Sequence, residues 1–292
     1  MLLTILTPTY NRAALLPRLF ESFIALDYTN FEWLIVDDGS TDNTADLIAD
    51  FKARASFSIH YIFQENSGKH VAINKGVAMA KGELFFIVDS DDRLTSNALS
   101  AVSELYSENK YTANFGGIAF RGCYEDGTVV GNSNFTQLVC NSIDVRTKYG
   151  VTGDLVEVFT TDVMREFPFP EIHNEKFCPE VLVWNRIAKK YDLVYVNEPI
   201  YIVEYQEGGL TDRIVKIRMK SPIASMLTYS EMLAHNVSLT QKIKAGINFW
   251  RFSFNSRKPL EYKMKLIGWN YFPLAIIGWA YYAYDKLKQE NN

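Results

Sequence analysis

Cysteine is scarce in this chain. Cys123, Cys140 and Cys178 are the only three in 292 residues, and the odd count without C-x-x-C spacing excludes a disulfide framework or a structural zinc site and suits a reducing compartment. A basic leader is also lacking: Leu2 to Thr9 runs straight into a polar turn, so the sequence reads as having no secretory signal and is expected to be cytoplasmic. No G-x-S-x-G elbow, no G-x-x-x-x-G-K-[ST] loop and no G-x-G-x-x-G fingerprint occurs, which sets aside serine hydrolase, P-loop and dinucleotide-binding chemistry. Repeats and low-complexity runs are missing too. With 48% hydrophobic and 22% charged residues, the composition is that of a globular protein with a sizeable core.

Charge is unevenly spread. Residues 1–212 carry 17 Lys+Arg against 30 Asp+Glu, whereas residues 213–292 carry 13 against 4. An acidic body argues against nucleic acid as its partner, and the basic tail invites an anionic surface. The sequence therefore divides into a body, 1–212, itself falling into halves at 1–95 and 96–212, and a helical basic and aromatic region, 213–292.

The first half alternates regularly. Apolar runs at Leu2–Leu6 (ended by Pro8), Trp33–Val36, Ile59–Phe63 and Leu84–Val88 read as buried strands. Between them lie helical patterns carrying Leu15, Leu16, Leu19, Phe20 and Phe23, then Leu47, Ile48 and Phe51 behind a cap at Asp42 or Thr44, then Lys69 to Ala80 ended at Gly82. This alternation predicts an α/β fold of Rossmann-like character with a mainly parallel central sheet, whose ligand crevice lies beyond the carboxyl ends of the strands. In the second half the sequence predicts a helix over 97–108, a hairpin over 115–131 turned at Glu125-Asp126-Gly127, a helix from Pro179 to Lys190 and a strand from Val194 to Glu204.

The acidic clusters sit at strand ends. Asp89-Ser90-Asp91-Asp92 crowds three carboxylates into four positions, and two like charges ~4 Å apart cost about 4 kcal/mol at an effective dielectric near 20. A hard divalent cation, Mg²⁺ or Mn²⁺, relieves that repulsion and shares such sites with substrate phosphates; a solvated turn capping the next helix is the alternative. Asp37-Asp38 after the second strand can accept a hydrogen bond from a nucleobase imide or a ribose, or form an Asx turn, and both can hold at once.

These residues spell a family. Thr7-Pro8-Thr9-Tyr10-Asn11-Arg12, Val36-Asp37-Asp38-Gly39-Ser40-Thr41-Asp42, the segment Asn66 to Gly76 and Asp89-Ser90-Asp91-Asp92 together resemble the opening of family 2 glycosyltransferases. The resemblance implies a GT-A fold, a UDP-sugar donor, a divalent metal and inversion at the anomeric carbon. It also implies that Pro8, Thr9 and Tyr10 pack around the base, that Asp38 holds the uracil imide, and that Asn66 and Lys69 meet the nucleotide. Asp89 with Ser90 then reaches the ribose or the metal, and Asp91 is the principal metal ligand. Lys69 fits independently, since an ammonium at a helix start can face a diphosphate; His70 beside it is the one histidine expected near the site.

Sugar transfer also needs a base for the acceptor hydroxyl. Glu180 in Cys178-Pro179-Glu180, followed by Val183-Trp184-Asn185-Arg186, resembles the base-bearing helix of the family, with Pro179 standing where an acid or threonine is usual. At a helix start its ionised form is favoured. Asp154, Glu157 and Glu175 are the competing carboxylates, and Tyr205 to Thr211 has the composition of a lid over the diphosphate. The expected activity is metal-dependent hexose transfer to a glycan, lipid-linked or protein-linked acceptor. The alternatives are a nucleotidyltransferase making sugar nucleotides, which would show a Gly-rich basic loop after its first strand, and a non-catalytic nucleotide-binding subunit. Leu266 to Tyr284 is long enough to span a bilayer, but Asn270, Pro273 and the scattered aromatics predict instead a helix lying on a membrane surface or in a homo-oligomer interface.

Overall fold

The structure, a computed structural model, describes all residues except 133, 205–209 and 291–292. The strands are β1 (Leu3–Thr9), β2 (Phe31–Asp37), β3 (Ser58–Phe63), β4 (Leu84–Ile87), β5 (Arg93–Leu94), β6 (Phe115–Cys123), β7 (Gln137–Cys140), β8 (Leu155–Thr160) and β9 (Asp192–Ile202). The first seven helices are α1 (Leu16–Ile24), α2 (Thr44–Arg54), α3 (Lys69–Met79), α4 (Ala98–Asn109), α5 (Asp144–Thr147), α6 (Thr161–Glu166) and α7 (Glu180–Ile187). Five more follow: α8 (Leu210–Lys220), α9 (Pro222–Leu233), α10 (Leu239–Ser253), α11 (Leu260–Ile267) and α12 (Ala275–Glu290).

The strands form one sheet in the order β3-β2-β1-β4-β8-β6-β9-β5, with β7 paired to β9. The block β3-β2-β1-β4 is parallel throughout, as the alternation predicts. β8 then enters antiparallel between β4 and β6, and β5 and β7 pair antiparallel with β9. The sheet is thus parallel through its first four strands and mixed beyond them, where β6 and β9 are the only parallel pair among the described residues.

Packing explains why the first block was so readable. Every residue of β1 and β2 is buried. On one face Leu3, Ile5, Trp33 and Ile35 meet Leu16, Leu19, Phe20, Phe23 and Phe51 from α1 and α2, with Phe20 and Phe51 stacked at 4.2 Å. On the other α3 presses close enough that a Cβ at Gly76 would lie 2.5 Å from Leu6 Cδ1. Both faces covered means both strand faces apolar. β1 runs through Pro8 instead of ending before it, because β4 pairs only with Leu3–Leu6 and no ladder bond on that side is asked of the proline. The hairpin predicted over 115–131 is reduced: the turn closes through Gly127 N–H to Tyr124 O, but the return arm is a single bridge from Val129 to Cys123. β6 finds its partners in β8 and β9 instead.

The chain forms two compact units, 1–168 with 186–205, and 169–185 with 206–292. The sequence boundary at 212 therefore moves, and segment 169–185 joins the helical unit. The reason is local: Glu175, buried, accepts N–H bonds from Ile223 (2.7 Å) and Ala224 (2.9 Å) at the start of α9, tying this segment to the C-terminal helices. The second unit has its own core of Met226, Phe249, Trp250, Met264 and Ile267. Leu266 to Tyr284 is not one helix. Gly268, at φ +82°, ends α11; a 3-10 turn, Trp269–Leu274, contains Pro273; and α12 begins at Ala275. Among the described residues no helix is long and apolar enough to cross a membrane.

Candidate active site

The site grows from the carboxyl ends of β1, β2 and β4. The loops after β1 and β2 are laced together: Asn11 N–H donates to Ser40 Oγ (2.8 Å), Thr41 N–H to Asn11 Oδ1 (2.7 Å) and Ala13 N–H to Asp42 Oδ2 (3.0 Å). Pro8 and Thr9 are buried, and Thr9 Oγ1 has no hydrogen-bond partner among the described residues. Tyr10, next along, is exposed.

The two neighbouring aspartates do different work. Asp37 makes the turn, accepting from Ser40 N–H (2.7 Å) and from the Tyr61 hydroxyl (2.7 Å), whose acidity burial and the Asp37 charge suppress. Asp38 is only 5% exposed. Its Oδ1 accepts from Gln64 Nε2 (2.8 Å) and Ser67 N–H (2.7 Å), and its Oδ2 from Gly68 N–H (2.8 Å), the residue just before α3. Asn66 Nδ2 donates to the Asp38 carbonyl (2.9 Å). Gly39 stands between at φ +88°, and a Cβ there would lie 2.8 Å from Asn66 N, so glycine lets the two loops touch. Asp38 and Asn66 thus form the seat that fixes the start of α3.

That seat aims Lys69. As the first residue of α3, its Nζ lies 2.7 Å and 2.8 Å from the two carboxylate oxygens of Asp89 beyond β4. Arg12 Nη1 reaches Asp91 Oδ2 at 3.2 Å. Asp89, Asp91 and Asp92 each bring a carboxylate oxygen within 4.8 Å of the others. Three hard oxygen donors at this spacing fit a Mg²⁺- or Mn²⁺-type ion. Burial, and then the neighbouring Asp89 charge, raise the pKa of Asp91, with Arg12 and Lys69 opposing. Asp92 is pushed up to about 7 by burial, with the Asp89 charge adding. Ser90 is buried between them.

Several partners carried no role in the sequence reading. Tyr201, on β9, accepts the Asp89 N–H (3.0 Å) and donates to Asp92 Oδ2 (2.8 Å); Glu204 N–H donates to Asp92 Oδ1 (2.9 Å), and Glu204 pairs with Arg18. Nothing local marks Tyr201, which lies 109 residues from Asp92 in sequence. Arg12 could have been found, being part of the Thr7–Arg12 motif.

Glu180 belongs to the second unit. It is half-buried and opens α7 directly after Pro179, as expected. Of its competitors, Glu175 is spent on the α9 start. Glu157 lies on β8 and Asp154 just before it. His70 is buried in the first turn of α3. Residues 205–209 of the expected lid lie outside the described residues.

The profile described as Glycosyl transferase family 2 matches residues 4–161, more than half of the chain. An uncharacterized glycosyltransferase of Nostoc sp. is 37% identical over 106 residues, 36% of this chain and 33% of that protein, so the chain spans about a third of that relative. Glycosyltransferase GlyG of Streptococcus pneumoniae is 25% identical over 223 residues, 72% of each. In three dimensions the chain is similar to S. aureus TarS 1–349 in complex with UDP-GlcNAc (TM-score 0.62, 17% identity, 95% of this chain and 79% of that one). It is also similar to the mannosyltransferase PcManGT of Pyrobaculum calidifontis in complex with GDP-Man and Mn²⁺ (0.58, 15%, 98% and 86%). With its parallel β1–β4 block, its aspartate cluster beyond β4 and the matched profile, this chain belongs to glycosyl transferase family 2 and has the GT-A fold.

Proposed function

We propose that the protein transfers a hexose from a UDP-sugar to a hydroxyl of a glycan, lipid-linked or protein-linked acceptor, with a divalent metal and inversion at the anomeric carbon. The observation that carries the reading is the convergence of Lys69 and Arg12 on the Asp89–Asp91–Asp92 cluster beside the loops after β1 and β2. Two cations and three carboxylates in one place suit a ligand that is itself a diphosphate with a divalent ion. The UDP-GlcNAc of one structural relative and the GDP-Man and Mn²⁺ of the other agree with this donor class.

In this reading Pro8, Thr9 and Tyr10 border the base, and Asp38 and Asn66 hold the loop on which it rests. Asp91, with Asp89 and Asp92, would hold Mn²⁺ or Mg²⁺. When bound, the ion neutralises charge gathering on the departing diphosphate. Lys69 adds a fixed positive charge on the same side. Glu180 takes the proton of the acceptor hydroxyl; its oxygen forms the new bond to the anomeric carbon from the face opposite the leaving group, and the old bond's electron pair departs with UDP. The three buried free thiols support a cytoplasmic setting.

The test is a panel of UDP-sugars with Mn²⁺, reading free UDP. Release of UDP matched by glycosylated product is expected. Pyrophosphate released from UTP would mark a nucleotidyltransferase instead, and binding without turnover a regulatory subunit. Glu180→Gln should lower turnover by on the order of 10²–10⁴ while leaving UDP affinity in place. Loss of UDP binding in that variant would remove Glu180 from the role of base.

A further inference from the structure

The last helix is packed on one side and bare on the other. α12 lies against α10 through Gly278, where a Cβ would come within 2.4 Å of Trp250 Cβ, and through buried Asp285, which takes Arg251 Nε at 2.6 Å and Nη2 at 2.7 Å. At 3.6 residues per turn, the opposite side carries Ile276, Ile277, Trp279, Ala280, Ala283, Tyr284 and Leu287 within an arc of about 160°, joined in the last turn by Glu290. This is the exposed side: Ile276 is 78% exposed, Tyr284 63%, Leu287 60% and Trp279 57%. Burying such side chains is what amphipathic helices do, and here the apolar stripe looks outward.

Its borders are basic. Lys286 falls just beyond the Trp279 edge of the arc and Lys288 just beyond the Ile277 edge, and both are exposed. Asp285 is buried and paired, so it offers nothing to an incoming cation. A second copy docked face to face on this stripe would bring two lysine borders from each helix together against one acidic residue per helix on that arc, Glu290. An anionic lipid surface meets the same borders with opposite charge, and accepts Trp, Tyr, Ile and Leu at the depth of its headgroup boundary. Upstream, Trp269 and Phe272 are also exposed, and residues 213–292 carry 13 Lys+Arg against 4 Asp+Glu.

We infer that the outward face of α12 is a membrane-docking surface, seated in the interfacial plane of a bilayer containing anionic lipids, with Ile276, Trp279, Tyr284 and Leu287 immersed and Lys286 and Lys288 on headgroups. This stands independently of the donor-site reading, since α12 supplies none of the residues proposed there.

The experiment is flotation of the full chain with vesicles of phosphatidylcholine alone or mixed with phosphatidylglycerol, at low and high salt. The chain floats with the anionic vesicles, less so at high salt, and poorly with phosphatidylcholine. Lys286→Glu with Lys288→Glu lowers partitioning on the order of tenfold or more, and Ile276→Gln with Leu287→Gln abolishes it. The substituted positions are exposed, and an unchanged thermal transition and unchanged circular dichroism show each variant folded. The inference is overturned if the chain stays unfloated with anionic vesicles, or if both variants float like the parent. It is equally overturned if light scattering finds a dimer that Ile276→Gln with Leu287→Gln dissociates while no flotation occurs.

Discussion

Replacing Asp38 by alanine separates two roles that the sequence alone left together. If the carboxylate only read a nucleobase, its removal would spare the fold. In the structure it is buried and receives three donors, Gln64 Nε2, Ser67 N–H and Gly68 N–H, at 2.7–2.8 Å. Hydrogen bonds to an ionised group are worth about 1.5–3 kcal/mol each, and unpaired buried donors keep their desolvation cost. Water entering the space left by the side chain returns part of this. The net expectation for Asp38→Ala is a loss of about 3–5 kcal/mol. Asp38→Asn keeps an acceptor for one side but turns an amide NH₂ toward a backbone N–H, so it should lose roughly half as much. Urea unfolding followed by circular dichroism reads the loss, and hydrogen exchange over residues 64–70 should rise sharply in both variants. An Asp38→Ala protein within about 1 kcal/mol of the parent, with unchanged exchange over that segment, would refute the assignment of Asp38 as the seat of α3.

Two further expectations rest on other parts of the chain. Asp285→Ala strands the Arg251 guanidinium between α10 and α12 and should cost about 3–5 kcal/mol, whereas Arg251→Met combined with Asp285→Leu should recover more than half of it; chemical denaturation of the single and double variants checks both. All three cysteines are free and buried, with Cys140 pushed up to about 12 by burial, so an aromatic disulfide reagent at mildly alkaline pH should find no reactive thiol in the native protein and three in guanidinium chloride.

The parallel block was legible because its strands are buried on both faces and its helices on one, so composition and period say the same thing. Leu84 to Val88 and Lys69 to Ala80 were placed to within a residue or two. β7 and β8 were not read. β8 carries Glu157 among apolar residues, and its place between β4 and β6 is a property of the sheet, not of the segment. The cluster at Asp89–Asp92 announced itself by crowding, but its support did not. Tyr201 is an ordinary strand tyrosine until β9 brings its hydroxyl to Asp92. The Asp37-Asp38 pair shows the same limit more finely. Two identical adjacent side chains differ in role because one meets Ser40 and Tyr61 and the other the loop before α3.

In the proposed function the Asp89–Asp91–Asp92 cluster joins a divalent ion to a nucleoside diphosphate. Calorimetric titration of UDP into the parent and Asp91→Asn proteins, each with Mn²⁺ and with chelator, tests it directly. Mn²⁺ is expected to tighten UDP binding to the parent by at least tenfold and to do nothing for Asp91→Asn, which stays folded. UDP affinity that is the same with Mn²⁺ and with chelator in the parent, or Mn²⁺-dependent binding that survives in Asp91→Asn, would contradict it.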